Sequence, residues 1–154
     1  MNLYRATLRA RDRQRRLKAR APLVVRGDAR PWERNPQGLM RWYLHPAMRR
    51  RALSNLTVWV QEIPPGGRSG KQKIQGGGVV FVWKGRGRTV IDGVSHAWRA
   101  ESLLQFPVRP GGIVYQHFNA DKKRRALLVC AEPDHQGLLG VDLGSGFEQL
   151  EDAE

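Results

Sequence analysis

The chain carries a turn followed by a strand in the stretch Pro110-Gly111-Gly112-Ile113-Val114-Tyr115-Gln116-His117-Phe118-Asn119. Proline and glycine interrupt regular structure, and they precede a short run rich in apolar and aromatic residues, Ile113–Phe118, which is typical of a strand. Successive side chains of a strand point to opposite faces, so Tyr115 and His117 point to the same face. The stretch therefore predicts a strand that carries a phenol and an imidazole on one face.

Short apolar runs of this kind recur from Leu39 onward, separated by turn residues about every 8–12 residues. Two of the turns, Lys84-Gly85-Arg86-Gly87 and Asp92-Gly93, place glycine where a hairpin needs a positive φ. This spacing predicts an all-β fold, an antiparallel barrel or jelly roll of about seven to ten strands. The predicted strands are Met40–Leu44, Leu56–Ile63, Val79–Trp83, Arg88–Ile91, Leu103–Phe106, Ile113–Phe118 and Ala126–Cys130.

Two framed motifs carry a resemblance to the cupin superfamily. The first motif of that superfamily begins and ends with glycine and encloses His-x-His and Glu; Gly66 and Gly85 stand at its two ends here. The second motif has the form Pro-x-Gly-x-x-His-x-x-x-Asn, and Pro110, Gly112 and Asn119 match it in register. The resemblance spans residues 56–131 and is to the small single-domain cupins related to gentisate and other aromatic-ring dioxygenases. It implies a jelly-roll (cupin) barrel with a binding site inside.

In a metal-bearing cupin, the histidines and the glutamate of these motifs hold an ion such as Fe(II) or Mn(II). The corresponding positions here are Gln72, Ile74, Gly78 and Tyr115. None of them is a usual metal ligand, so we expect no metal cofactor. The alternative is a shifted iron or manganese site on His117, with Gln72 and Tyr115 as further ligands.

The residues expected to bind a small molecule inside the barrel are Gln72, Tyr115 and His117. Tyr115 and His117 are also the candidate catalytic residues, because an imidazole titrates near neutrality and can move protons. The alternative for His117 is a barrel-lining histidine hydrogen-bonded to Tyr115 or Gln72. Arg109 is predicted at the rim of the pocket, where its guanidinium group is suited to binding a carboxylate of the ligand. The alternative is that Arg109 is a charged loop residue in solvent. Trp83 is a further candidate for ligand binding, and its alternative is the core or an interface.

Charge is distributed unevenly along the chain, which has 27 Lys and Arg against 14 Asp and Glu and a net charge of +13. Residues 1–34 hold +8 of this charge, while the chain after Arg125 contains no Lys or Arg. Residues 3–20 lack Gly and Pro and predict an exposed basic helix. We therefore divide the chain into a basic N-terminal arm and connector (1–38), a barrel (39–132) and an acidic tail (133–154).

The lone Cys130 excludes an intrachain disulfide and fits a reducing compartment. No apolar run is long enough to cross a bilayer, and the first residues lack an apolar signal core. We expect a cytoplasmic protein with no membrane partner. A homodimer, or pairing with a related cupin, is expected because such assembly covers exposed sheet edges.

Three functions are compatible with these features. The first is a cupin with a degenerate metal site that binds a small polar or aromatic molecule, as a metal-independent isomerase, cyclase or lyase or as the non-catalytic partner of a metal-bearing homologue. The second is a metal-dependent ring-cleaving dioxygenase with non-standard ligands. The third is an interaction protein whose basic arm holds nucleic acid or an acidic partner. The arm has no recognised base-reading motif, which does not favour nucleic acid.

Overall fold

The computed structural model describes residues 2–135, which form one α-helix and ten strands. Helix α1 spans Leu3–Ala19, and a short 3-10 turn spans Gly27–Ala29. The strands are β1 (Glu33–Asn35), β2 (Gly38–Leu44), β3 (Leu56–Ile63), β4 (Gln72–Ile74), β5 (Val79–Lys84), β6 (Arg86–Ile91), β7 (Val94–Arg99), β8 (Leu103–Gln105), β9 (Ile113–Asn119) and β10 (Ala126–Pro133).

The strands form two antiparallel sheets. One has six strands in the order β1-β2-β3-β10-β5-β8, and the other has four in the order β4-β9-β6-β7. Strands far apart in sequence, such as β3 and β10, are neighbours, as in a jelly roll. The predicted all-β antiparallel jelly-roll barrel with an N-terminal helix is confirmed, and all seven predicted strands are present.

The core lies between the inner faces of the two sheets. Strand β5 illustrates the alternation that builds it, because Val80 and Val82 are buried while Val79, Phe81 and Trp83 are exposed on the outer face. Both sheets contribute fully buried side chains, among them Met40, Ile63, Val82, Ile113 and Leu128. The predicted buried state of Cys130 is also confirmed.

Three strands were not predicted from the sequence. β1 and β4 have three residues each, too few to show a period, and β7 exposes five of its six residues. These strands form through backbone pairing with longer neighbours rather than through an apolar pattern of their own. Because β1 pairs with β2, the six-stranded sheet begins within the segment assigned to the connector.

Helix α1 confirms the predicted helical arm. The Asn2 side chain caps its first turn by accepting a hydrogen bond from the Arg5 backbone N–H at 3.0 Å, and Arg16 and Lys18 stand in its last turn, where the helix dipole favours cations. None of its residues is buried. None of the helices in residues 2–135 combines the length and the apolar character that crossing a membrane requires. The predicted acidic tail lies outside the described residues from position 136 on.

Asn119, the last residue of β9, joins the ends of three central strands. Its side-chain N–H₂ group donates to the carbonyl oxygens of Ile63, Pro64 and Arg124 at 3.2, 3.1 and 2.8 Å, and its oxygen accepts from the Asp121 N–H at 2.9 Å. Ile63 ends β3, and Arg124 precedes β10. Asn119 thus holds β9 against β3 and β10.

We expect Asn119→Ala to lower the free energy of unfolding by about 3 kcal/mol, because buried carbonyl groups and an N–H group lose their partner. The measurement is urea denaturation followed by circular dichroism. Gln105→Ala, on an exposed edge-strand position, is the matched control and should stay within about 0.5 kcal/mol of the unmodified protein. Equal effects of the two substitutions would contradict this role of Asn119.

Candidate functional site

The inner face of β9 carries the two residues that the sequence singled out. Ile113, Tyr115, His117 and Asn119 are buried and alternate with partly buried neighbours. Strand β4 pairs with β9 so that Gln72 is the register partner of Tyr115, and the Tyr115 hydroxyl donates to the Gln72 Oε1 atom at 3.0 Å. The structure therefore brings Gln72, Tyr115 and His117 to one face of the barrel interior.

His117 is held by a hydrogen-bonded chain on the same sheet. Its Nδ1 atom lies 2.7 Å from the Thr89 Oγ1 atom, which also accepts from the Trp98 indole N–H at 2.9 Å. The predicted partners Tyr115 and Gln72 are thus wrong for His117, and the partner is Thr89, because β6 places Thr89 opposite His117 in register. The side chain is 1% exposed. Burial lowers the pKa of His117 from 6.5 to about 4, so the imidazole is neutral at physiological pH.

Aromatic rings close the interior around these two residues. The Phe106 ring centroid lies 4.6 Å from that of Tyr115 and 6.2 Å from that of His117. Burial raises the pKa of the Tyr115 phenol, which stays protonated. The cavity beside Tyr115 and Phe106 has a volume of about 10 Å³, room for one water molecule at most. The two candidate catalytic residues therefore stand in a filled interior and not in a substrate-sized pocket.

The donor set inside the barrel does not fit iron or manganese. His117 is the one imidazole of the interior set, and its Nδ1 atom is engaged by Thr89. The other members are a protonated phenol and a neutral amide, and Ile74 and Gly78 offer no side-chain donor. Across residues 2–135, no group of three or more His, Cys, Asp or Glu side chains could hold a metal ion. The alternative site on His117, Gln72 and Tyr115 lacks suitable ligands.

Two predicted site residues lie elsewhere. Arg109 is half exposed and donates from Nη1 to the Asp92 Oδ2 atom at 2.7 Å, in the turn between β6 and β7. Trp83 is 50% exposed on the outer face of β5, because Val80 and Val82 occupy the inward positions of that strand. Its assignment to a ligand site inside the barrel is therefore wrong. Neither residue joins the cluster on β9.

A polar cavity opens at the end of the barrel between β2, β3, β4 and β10. We call this cavity of about 280 Å³ the mouth cleft; its lining comprises Gln37, Trp42, Trp59, Gln72, Lys73, Ile74 and Glu132. The ring centroids of Trp42 and Trp59 are 5.4 Å apart. The Trp59 indole N–H is buried without a hydrogen-bond partner in the described part of the chain. Burial raises the pKa of Glu132.

Of the predicted ligand-binding residues, Gln72 lines this cleft. The sequence prediction missed Glu132 and Trp59. A signal was present for Glu132, since it follows Cys130 by two positions on one strand and so points inward with it. Glu132 had been placed at the boundary of the acidic tail, where a charged residue usually lies in solvent.

We expect stability to depend on pH through His117. Well above pH 6.5 the imidazole is neutral in both the folded and unfolded states. Between pH 6.5 and 4 the unfolded chain binds a proton that the folded chain does not, so folding stability falls by about 3 kcal/mol as the pH drops. His117→Gln removes this slope in denaturation curves recorded across that range. His96→Gln, at an exposed position, should retain it, and a slope common to all three proteins would contradict the assignment.

Comparisons with known proteins agree with this geometry. No family profile matches the sequence, and no curated protein is significantly similar to it. Solved structures do match. A cupin 2 conserved barrel domain protein from Salinispora arenicola superposes with a TM-score of 0.58 at 15% identity, covering 76% of this chain and 92% of that chain.

Two further solved structures match at similar levels. For a predicted oxalate decarboxylase from Thermotoga maritima, the TM-score is 0.55 and the identity 19%, over 71% of this chain and 96% of that chain. For a cupin-2 domain from Rhodospirillum rubrum, the TM-score is 0.53 and the identity 20%, over 71% and 77%. These likenesses show that the chain has the cupin fold.

Proposed function

We propose that this protein binds a small polar or aromatic molecule in the mouth cleft without the help of a metal. The observation that carries the proposal is a buried indole N–H without a partner, on a residue that lines a polar cavity. An unsatisfied buried donor costs about 1–3 kcal/mol, and a ligand that supplies an acceptor recovers that energy. The cleft is near the lower end of the volumes typical of ligand sites, which suits a monocyclic molecule.

The chemistry of the lining restricts the ligand further. An indole N–H only donates, so the ligand must present an acceptor to Trp59. The carboxylate of Glu132 only accepts when ionised, and the Gln72 amide both donates and accepts. Trp42 adds an aromatic surface next to Trp59. A planar ligand with an acceptor and a donor on one edge, such as a primary carboxamide, matches this set.

Binding is favoured over catalysis because the two groups suited to proton transfer are closed off. Thr89 holds the Nδ1 atom of His117, and the phenol of Tyr115 is bonded to Gln72. Neither His117 nor Tyr115 lines the mouth cleft. This arrangement supports a non-catalytic role for the cleft, and the unsuitable donor set argues against a ring-cleaving dioxygenase.

We expect benzamide and nicotinamide to bind more tightly than benzoate, because a carboxylate is repelled by Glu132. The measurement is a titration followed by two-dimensional ¹H–¹⁵N NMR, with the indole N–H of Trp59 as reporter. Gln72→Ala and Glu132→Gln should each weaken benzamide binding about tenfold, which corresponds to the loss of one good hydrogen bond.

Gln105→Ala, on the edge strand β8, is the matched control and should leave binding unchanged. Preserved binding in both cleft variants would contradict the proposal, as would a Trp59 indole signal that does not respond to any of the three probes.

A second candidate function is favoured by α1. The helix has no buried residue, and it carries seven Lys and Arg against one Asp. Such a surface binds polyanions through long-range attraction. We propose that α1 binds an acidic protein segment.

We expect the full chain to bind poly-L-glutamate with an affinity that falls steeply between 50 and 500 mM NaCl, since the length over which salt screens exposed charges falls from above about 10 Å to below about 8 Å in this range. Deletion of residues 2–20 should abolish this binding. A deletion variant with unchanged affinity would assign the binding to the arginines of the barrel instead.

A further inference from the structure

A large cavity lies outside the barrel. We call it the outer groove: it has a volume of about 1,040 Å³ and runs over the outer face of the six-stranded sheet, beneath the connector that follows α1. Its floor is apolar and is formed by β3, β5 and β10 through Val58, Val60, Phe81, Trp83 and Val129. Phe81 and Trp83 are 40% and 50% exposed. A contiguous apolar surface of this kind marks a binding site more often than free surface.

The rim of the outer groove is strongly basic. Among residues 2–135, the lining includes no acidic side chain but five arginines, which are Arg20, Arg26, Arg30, Arg50 and Arg51. Arg26 pairs with Asp28, and Arg51 pairs with Asp134. No carboxylate of the described chain pairs with Arg20 or Arg30, and the Nε atom of Arg30 is buried without a partner. The groove therefore suits an occupant that is apolar along its length and carries negative charge.

The described chain ends at this rim. The Asp134 carboxylate accepts from Arg51 Nη1 at 2.7 Å, and the Asp134 N–H donates to the Asn55 carbonyl at 2.8 Å. Both side chains of the Asp134–Arg51 pair are largely buried, at 5% and 14% exposure. Position 135 therefore leaves the barrel beside a residue that lines the groove.

Residues 136–154 have the composition that the outer groove requires. This segment contains no Lys or Arg and has a net charge of −5, with its large apolar residues at Leu138, Leu139, Val141, Leu143, Phe147 and Leu150. Nineteen residues reach at most about 60 Å when extended, more than a groove of this size demands. We propose that residues 136–154 bind in the outer groove of their own chain, with apolar side chains on Phe81 and Trp83 and carboxylates near Arg20 and Arg30.

Two other occupants fit the observations less well. A second copy would bring together two chains that each carry a net charge of +13, and their basic rims would repel each other. Helix α1 also attracts acidic residues, but its apolar stripe is thin and offers no floor for six large apolar side chains. The outer groove combines an apolar floor with a basic rim.

The test uses the full chain labelled with ¹⁵N and a nitroxide attached at Ser145→Cys; Cys130 is buried and is not expected to react. We expect the Phe81 amide and the Trp83 indole resonances to lose most of their intensity. A label at Gly111→Cys, an exposed turn position before β9 where an added side chain meets nothing within 4 Å, is the matched control and should leave these two signals intact. Arg20→Glu with Arg30→Glu should restore them, whereas Arg88→Glu, exposed on β6, should not.

Three results would overturn the proposal. Broadening confined to α1 resonances would place the segment on the basic helix. Broadening in a mixture of ¹⁵N-labelled chains and spin-labelled unlabelled chains would place it on a second copy. A third result would be that added decanoate shifts the Trp83 indole signal while the nitroxide at position 145 does not affect it. That result would mean that the groove binds an acyl anion. None of these results bears on the mouth cleft, which is measured at Trp59.

Discussion

The structure depends on the hydrogen bonds of one amide, that of Asn119. From the end of β9, this side chain bonds to the carbonyl groups of Ile63 and Pro64 at the end of β3. It also bonds to the carbonyl group of Arg124, which precedes β10. The next link is the pair between Ser69 and His117, in which the Ser69 N–H donates to the His117 carbonyl at 3.0 Å and the Ser69 hydroxyl accepts from the His117 N–H at 2.9 Å. With β9 fixed at this end, strand alternation sends Tyr115 and His117 inward.

The interior that results satisfies its own polar atoms. Trp98 donates to Thr89, Thr89 bonds to His117, and Tyr115 donates to Gln72, so these buried groups need no ligand. In a metal-bearing cupin, this region holds the ion. Here a buried donor without a partner stands on Trp59, at the end of the barrel beside Glu132 and Gln72. The binding chemistry proposed above therefore lies at the mouth of the barrel and not at its centre.

Strand positions were predictable from the sequence, but side-chain directions were only partly so. In β9 the spacing of two residues placed Tyr115 and His117 on one face, and the structure shows that this face lies inward. The sequence of β5, Val-Val-Phe-Val-Trp, is apolar at both inward and outward positions. It therefore does not indicate which residues point inward, and Trp83 was assigned to the wrong face. Thr89 could not be recognised as the partner of His117, because their pairing depends on the register of β6 against β9, which involves residues 28 positions apart.

The two proposed binding surfaces are opposite faces of the same strands. Along β3, Val58 and Val60 lie in the outer groove while Trp59 lines the mouth cleft, and on β10 Val129 and Glu132 are divided in the same way. Shared strands do not make the sites coupled, since coupling requires an element with two discrete arrangements that both ligands bias. β3 is paired along its length with β2 on one side and β10 on the other, and such a central strand has no second register that keeps Trp59 and Ile63 buried. Ligand binding in the mouth cleft and in the outer groove should therefore be independent, because each site uses a different face of the same sheet.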